Sequence, residues 1–203
     1  MSYPNVQAAI IAALADHSRP GHARWQDQYK TGYWNMPTIS LIRSNLIGME
    51  ETAGQAAMVL RNMGTLRDLH LAILIVRYET QFPSSRHQAS LHYVTQESAQ
   101  CVTGLSNVRL RQAIIRAALA PGKRGTRPKY AEMADRYGMH PKTVGRHYAA
   151  ISGWVHAEFN KALAEISDKL EARGLIERSE PVPPPDTGMI EKLRQAMRNL
   201  VGA

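Results

Sequence analysis

Apolar residues recur along most of this chain at spacings of three and four positions, a pattern that is typical of amphipathic helices. In the N-terminal part, helices are predicted over residues 5–16, 37–47, 49–63 and 66–79. The last of these segments is apolar on nearly every side, which predicts the central helix of a bundle. His70 lies within it and is therefore predicted to be a satisfied core or boundary residue rather than a metal ligand.

The same pattern stops and resumes at proline-containing stretches, which divide the chain. An N-terminal helical domain is predicted over residues 1–82 and a second helical domain over residues 83–176. Residues 177–203 are predicted to form a Pro-rich linker followed by an amphipathic helix, Met189–Leu200. That helix could dock on the same chain or on a partner.

One apolar stripe runs from Val144 to Leu170 and predicts a long helix that ends at Arg173, where Gly174 is a typical helix stop. Such a stripe must pack on something, either the N-terminal bundle or a second copy of the chain. Packing within the chain is favoured because Gly153 could permit a bend that folds the helix back. A break at Gly153, leaving two helices, is the alternative.

The composition agrees with an all-α fold, because aromatic residues make up only 6% of the 203 residues while Ala, Leu, Ile and Met supply much of the apolar bulk. The single cysteine, Cys101, excludes an intramolecular disulfide and is typical of a reducing cytosol. The apolar run Leu71–Val76 is far shorter than the ~20 residues that span a bilayer. A cytoplasmic protein without membrane contact is therefore expected.

The charge distribution points to a polyanionic partner. The net charge is +8, and no Asp or Glu occurs between Ser98 and Ala131. This stretch is predicted to contain a surface that faces phosphates, with a solvated face or an acidic protein partner as alternatives. Its basic residues are Arg109, Arg111, Arg116, Lys123, Arg124, Arg127 and Lys129.

Residues 95–119 are compatible with a helix-turn-helix, in which a turn at Gly104 would join two short helices. Val108, Ile115 and Leu119 are predicted to lie on the apolar face of the second. However, Ala99 is five residues before Gly104, whereas the common motif has a small residue four positions before the glycine of the turn. A plain helical hairpin is the alternative, and it is favoured.

Residues 129–151 match a helix-turn-helix more closely. The motif needs a small residue where its helices cross, a glycine that can adopt positive φ in the turn, and apolar residues that fix the angle between the helices. Ala134, Gly138, Met139 and Val144 meet these requirements at the expected spacing. Pro141 suits the first turn of the second helix, because a proline lacks the N–H that is unpaired there.

The second helix of this motif is predicted to enter the major groove of double-stranded DNA. Lys142, Thr143 and Arg146 are predicted to lie outward, and His147 is a further candidate. Arg146 is the candidate for a base contact, since a guanidinium can donate to O6 and N7 of guanine together. His140 is predicted to cap the helix. Phosphate contacts are expected from a further set of basic residues: Arg109, Arg111, Lys123, Arg124, Arg127 and Lys129.

The chain resembles bacteriophage Q-type late-gene antitermination proteins, in particular the group whose helix-turn-helix is similar to region four of a bacterial sigma factor. The resemblance is carried by Trp25 and Trp34, by LAILIVRYE at 71–79, and by MADRYGMHPKTVGRHY at 133–148 with Trp154 and Glu158 after it. Only the helix-turn-helix is specific. The lack of clustered cysteines argues against the zinc-containing group.

The resemblance implies a protein of the bacterial host cell that binds DNA beside a phage late promoter and joins a paused RNA polymerase with its sigma factor. Lys142, Thr143 and Arg146 would be the DNA-binding residues carried over. A monomer or homodimer and no cofactor are expected. Competing interpretations are a simple repressor and a phage small terminase subunit, in which the stripe from Val144 to Leu170 would build a ring.

An enzyme is not expected. The sequence contains no glycine-rich phosphate loop, no spacing typical of a metal site, and no Ser/His/Asp or Cys/His arrangement with supporting context. Glu132, Asp135 and Glu158 are predicted to be surface acids on helices. Tyr130 and Tyr148 lie in a basic region, as a recombinase nucleophile would, but Tyr148 is better explained as a core residue.

Overall fold

The computed structural model describes residues 2–17, 38–47, 54–79, 84–102, 104–120 and 130–177. Within these residues the fold is all-α, which confirms the predicted class. The helices are α1 (Val6–His17), α2 (Ile39–Ile47), α3 (Gln55–Gly64), α4 (Asp68–Tyr78), α5 (Ser85–Glu97), a short 3-10 helix (Ser98–Cys101), α6 (Val108–Leu119), α7 (Tyr130–Tyr137) and α8 (Pro141–Ala172).

Side-chain caps fix the first residues of several helices, because the first N–H groups of a helix have no partner within it. Asn5 Oδ1 accepts a hydrogen bond of 2.9 Å from the backbone N–H of Ala8 at the start of α1. Ser84 Oγ caps α5 in the same way, and Asn107 Oδ1 accepts from Leu110 N at 3.1 Å before α6. Asn and Ser are preferred at this position, so these starts follow from local sequence.

Helix α4 is the centre of the fold, as its apolar sequence predicts. Every residue from Leu71 to Val76 is buried. Helices α1, α2, α5, α6 and α8 all contact α4. His70 is also buried, and it is hydrogen-bonded, in agreement with its prediction as a satisfied core residue.

Helix α8 is continuous over 32 residues, a length of about 48 Å. It continues through Gly153, so a break at that residue does not occur. The helix contacts α1, α3, α4, α6 and α7, which confirms that its stripe packs within the chain. The fully buried members of the stripe are Val144, Ile151, Val155, Ala162, Ile166 and Leu170.

The end of α8 is tied to the start of the chain. Gly174 has φ +65, and the N–H of Leu175 donates to the carbonyl of Leu170 at 3.0 Å, which is the predicted glycine stop. Beyond it, the N–H of Tyr3 donates to the carbonyl of Leu175, and the N–H of Glu177 donates to the carbonyl of Tyr3. These two bonds hold both flanks of the described chain together.

The hydrophobic core crosses the position at which the sequence predicts a boundary between two domains. Buried residues from Ala9 to Ile176 form one cluster, and α4 and α5, on either side of residues 82 and 83, contact each other. Among the residues that the structure describes, no helix is both long and apolar enough to cross a bilayer. The predicted linker and helix within 177–203 fall, apart from Glu177, outside the described residues, as does the Trp25 region.

Candidate nucleic-acid interface

The turn between α7 and α8 has the backbone that the sequence predicts. Gly138 has φ +64, a left-handed conformation that glycine adopts without a steric cost. The N–H of Met139 donates to the carbonyl of Ala134 at 2.9 Å, which closes α7 with the hydrogen bond of a glycine-stopped helix. Three residues, Gly138 to His140, therefore separate the two helices.

The two helices approach closely at small residues. Ala134 of α7 is 1% exposed, and Val144 of α8 is fully buried. A Cβ built on Gly145 would lie 3.7 Å from the ring of Tyr130, so the ring rests directly on the backbone of α8. The rings of Tyr130 and Tyr148 have centroids 5.5 Å apart. Helices α7 and α8 thus form a packed helix-turn-helix, in which the rings of Tyr130 and Tyr148 lie between the two helices.

Helix α8 begins as predicted. His140 has extended backbone, with φ −74 and ψ 135, and its Nδ1 accepts a hydrogen bond of 3.3 Å from the N–H of Lys142. Pro141 occupies the first turn. The imidazole of His140 therefore caps the helix, which agrees with the prediction.

Lys142 and Arg146 are exposed on the outer face of the first two turns of α8. At about 100° per residue, they lie about 160° and 120° around the helix axis from the buried Glu158. Thr143 is half-buried beside them. His147 is half-buried and only about 20° from the direction of Glu158, so it faces the body of the protein rather than the outside.

The outer face of α8 carries small, uncharged residues after Arg146. Ala149, Ala150 and Gly153 are all exposed. Their side chains would not hold a second molecule away from the helix backbone, whereas Lys142 and Arg146 concentrate the positive charge at the N-terminal end. The outer face of α8 can therefore approach a groove closely over about three turns.

One predicted phosphate contact is wrong. Arg111 is 9% exposed, and its guanidinium donates a hydrogen bond of 3.1 Å to the carbonyl of Thr95, so it joins α6 to α5 inside the protein. The number of charges in a stretch of sequence does not tell which residues of a helix face the protein interior. In α6, Arg111 is one of those that do. Arg109 and Arg116 are exposed on the same helix. The remaining candidates, Lys123, Arg124, Arg127 and Lys129, lie outside the described residues.

The region 95–119 has the character of a plain helical pair. Gly104 has φ +86, but Ala99 is exposed within the 3-10 helix and does not lie at a close helix crossing. Val108 is 44% exposed, contrary to its predicted place on the apolar face of α6. Ile115 and Leu119 are buried as predicted, and Leu110 and Ile114 are buried with them, so the inner face of α6 is wider than predicted and excludes Val108.

Sequence reasoning missed the role of Glu158. It is 9% exposed rather than a surface acid, whereas Glu132 and Asp135 are exposed as predicted. Glu158 lies in the buried stripe of α8, three positions after Val155 and four before Ala162. Its place in this apolar stripe is the feature of the sequence that could have predicted its burial. An acid on the inner face of a helix requires a buried partner.

No family model, no curated protein and no solved structure matches this chain. Among the described residues, no group of three His, Cys, Asp or Glu side chains could hold a metal ion. The function of this chain is therefore inferred from the geometry of α7 and α8 and from the charges that they present.

Proposed function

We propose that this protein binds double-stranded DNA through the helix-turn-helix formed by α7 and α8, and that it regulates transcription. The observation that carries the proposal is the tight turn at Gly138 in front of a helix with Lys142 and Arg146 on its outer face. A helix-turn-helix reads DNA with the N-terminal residues of its second helix. The net charge of +8 supports association with a polyanion.

Within this proposal, Arg146 contacts a base edge and Lys142 contacts a phosphate or a base edge near the start of the helix. Thr143 is half-buried and can place its hydroxyl beside the backbone of the duplex. The stretch between α6 and α7, residues 121–129, is called the basic linker here because it contains Lys123, Arg124 and Arg127. Within this proposal it adds phosphate contacts that strengthen binding without selecting a sequence.

The covered stripe of α8 supports a regulator over a packaging ring. A ring-forming terminase subunit would use the apolar stripe between Val144 and Leu170 to hold its neighbours. That stripe is buried against helices of the same chain. Assembly of a ring would therefore need a different surface.

The finer proposal is antitermination, in which the bound protein joins a paused RNA polymerase. The sequence resemblance to Q-type proteins supports it, and the helix-turn-helix is the part of the resemblance with specific spacing. A simple repressor would bind the same DNA site without polymerase. The two differ in whether polymerase changes binding and whether terminators are read through.

Selection of bound sequences from random duplexes, with and without RNA polymerase, tests both levels of the proposal. We expect a defined site that is enriched more strongly when polymerase is present, followed by terminator read-through in transcription of a template carrying that site. Enrichment that ignores polymerase would indicate a repressor. Failure to retard any duplex at low ionic strength would exclude DNA binding altogether.

A further inference from the structure

The ring of His70 lies between two carboxylates of α8. Its Nδ1 is 2.9 Å from Glu165 Oε2, and its Nε2 is 3.3 Å from Glu158 Oε2. The side chain of His70 is 6% exposed, and those of Glu158 and Glu165 are 12% and 33% exposed. Two glutamates seven residues apart on α8 thus hold one residue of the central helix α4.

Each glutamate is also paired with a lysine on its own helix. Lys161 Nζ is 2.6 Å from Glu158 Oε1, and Lys169 Nζ is 2.9 Å from Glu165 Oε1. Lys169 Nζ also donates to Thr65 Oγ1 at 3.0 Å, in the turn before α4. Every carboxylate oxygen of the cluster therefore faces a hydrogen-bond donor or the ring of His70.

The lysines favour the ionised form of both carboxyls. The hydrogen bond from Lys161 lowers the pKa of Glu158; burial opposes this, and the hydrogen bond from His70 adds to it. For Glu165, burial is the largest influence and raises the pKa, but the hydrogen bonds from Lys169 and His70 outweigh it and leave the pKa lowered. Two ionised carboxylates can only accept hydrogen bonds.

The geometry therefore specifies the protons on the ring. A neutral imidazole has one N–H and one bare nitrogen, and the bare nitrogen would face a carboxylate oxygen with lone pair against lone pair. Only the doubly protonated ring donates on both sides. We propose that His70 is an imidazolium that clasps α8 to α4, and that this clasp sets the direction in which α8 presents Lys142 and Arg146.

The part of this proposal that concerns direction rests on the proposed function. Lys142 is sixteen residues before Glu158 on one continuous helix, a distance of about 24 Å. A tilt of about 10° at the clasp would move the DNA-reading end by about 4 Å, a large displacement in a major groove about 12 Å wide. His70 is accordingly a positioning residue, far from the bases itself.

The charged and titratable groups of the cluster come from two elements. Helix α8 contributes Glu158, Glu165, Lys161 and Lys169, and the 3-10 helix contributes Cys101, whose thiol interacts with Glu158. Burial is the larger cause that raises the pKa of the Cys101 thiol, and the charge of Glu158 is the smaller one. A neutral thiol adds no negative charge to the cluster.

Nitrogen-15 NMR of the full-length protein in neutral buffer tests the clasp without DNA. The His70 resonances are assigned by their disappearance in His70→Gln. We expect both ring nitrogens to carry protons, with similar chemical shifts. One protonated and one bare nitrogen, with widely separated shifts, would overturn the clasp.

The positioning role is tested with Glu165→Gln, and Asp168→Asn is the matched control because Asp168 is an exposed acid one turn further along the same helix. We expect Glu165→Gln to remove one ring proton and to weaken binding to the selected duplex by about 5-fold to 150-fold, the value of one good base contact. Asp168→Asn should change neither quantity.

Removal of the ring proton with unchanged DNA affinity would overturn the positioning role. If the wild-type protein binds no duplex, the proposed function fails, while the NMR result still decides whether the clasp exists. If Glu165→Gln does not fold, the ring signals of the wild-type protein alone decide the same question.

Discussion

Gly138 and Gly153 occupy opposite kinds of backbone, although both are exposed and neither has an atom within 4 Å of a Cβ built on it. Gly138 has φ +64, where a side chain costs roughly 1–2 kcal/mol. Gly153 lies inside a helix, where alanine is better than glycine by about 1 kcal/mol. We expect Gly138→Ala to lower the free energy of unfolding and Gly153→Ala to raise it by these amounts in urea titrations.

The two variants serve as controls for each other, because each adds one methyl group at an exposed position. A stabilised Gly138→Ala protein would show that the turn does not need positive φ. A destabilised Gly153→Ala protein would show that the uninterrupted course of α8 is wrong.

Arg146 is the residue on which sequence selectivity is expected to depend. We expect Arg146→Ala to cost about 1–3 kcal/mol of binding at one base position, because the alanine cannot donate the pair of hydrogen bonds to guanine. Binding is measured on the selected site and on its single-base variants. Arg173→Ala, an exposed arginine beyond the far end of α8, is the matched control. Equal weakening on every sequence would make Arg146 a phosphate contact instead.

Glu158 and Glu165 are expected to make the stability of the protein depend on pH in the acidic range. The pKa of each is lowered in the folded state from the ordinary value of 4.5, so their contribution to stability is present above that value. It is lost as the pH falls through the lowered folded-state values. We expect the free energy of unfolding to fall less steeply below pH 4.5 in Glu158→Gln and Glu165→Gln than in the wild-type protein. If the free energy of unfolding fell equally steeply in the variants and in the wild-type protein, these carboxyls would not contribute to the loss of stability in acid.

At the residue scale, local chemistry could be predicted from the sequence and distant pairing could not. Gly138, Pro141 and His140 act on their immediate neighbours, so their roles follow from spacing. The partners of His70 are 88 and 95 residues away along the chain, and only the packing of α8 on α4 brings them together.

The C-terminal end of α6 is held by side chains of other helices. Arg77 Nη1 donates to the carbonyl of Leu119 at 2.6 Å, and the Nε2 of His156 lies 3.0 Å from the carbonyl of Ala118. The guanidinium of Arg77 also lies 5.9 Å from the ring centroid of Phe159. The carbonyls of Ala118 and Leu119, at the end of α6, are therefore satisfied by side chains of α8 and α4.

Neutralising the linker tests its contribution to DNA binding. We expect the triple change of Lys123, Arg124 and Arg127 to Ala to reduce the slope of log affinity against log salt by roughly one unit for each phosphate that the variant no longer neutralises. The selected base sequence should stay the same, since phosphate contacts carry no sequence information. Arg109→Ala, with its exposed side chain on α6, shows whether that helix also contacts the duplex. An unchanged slope in the triple variant would exclude the linker from the interface.

At the element scale, the sequence predicts most of the described helices but misses α5, because it predicts a short helix only from residue 95 onward, whereas α5 begins at Ser85. The orientation of a helix is predicted less well than its existence. The sequence predicts a helix over 107–119, and α6 begins at Val108, directly after its Asn107 cap. Its buried face includes Leu110 and Ile114, so Val108 is turned out and Arg111 is turned in. When a short helix has apolar residues on more than one side, its sequence alone does not determine which side is buried. The neighbouring helices decide this.

At the scale of the whole molecule, the described residues share one core, in which α8 contacts both the N-terminal and the C-terminal helices. A fragment of residues 84–177 would lack α1 to α4 and expose the inner face of α8, including Val155 and Ile166. We expect this fragment to show little cooperative unfolding by circular dichroism and a poorly dispersed NMR spectrum. A fragment that unfolds cooperatively as a monomer would establish the two separate domains that the sequence predicts.

The hydrogen bonds between Tyr3 and residues 175–177 have a practical consequence for experiments on this molecule. A fluorophore or affinity tag attached next to either flank would leave from the same place, about one α8 length, or 48 Å, from Lys142. Surface immobilisation through either flank should therefore leave the proposed DNA-binding end of α8 facing the solvent. Energy transfer from a fluorophore at either flank to a labelled duplex would report the orientation of the protein on a DNA site.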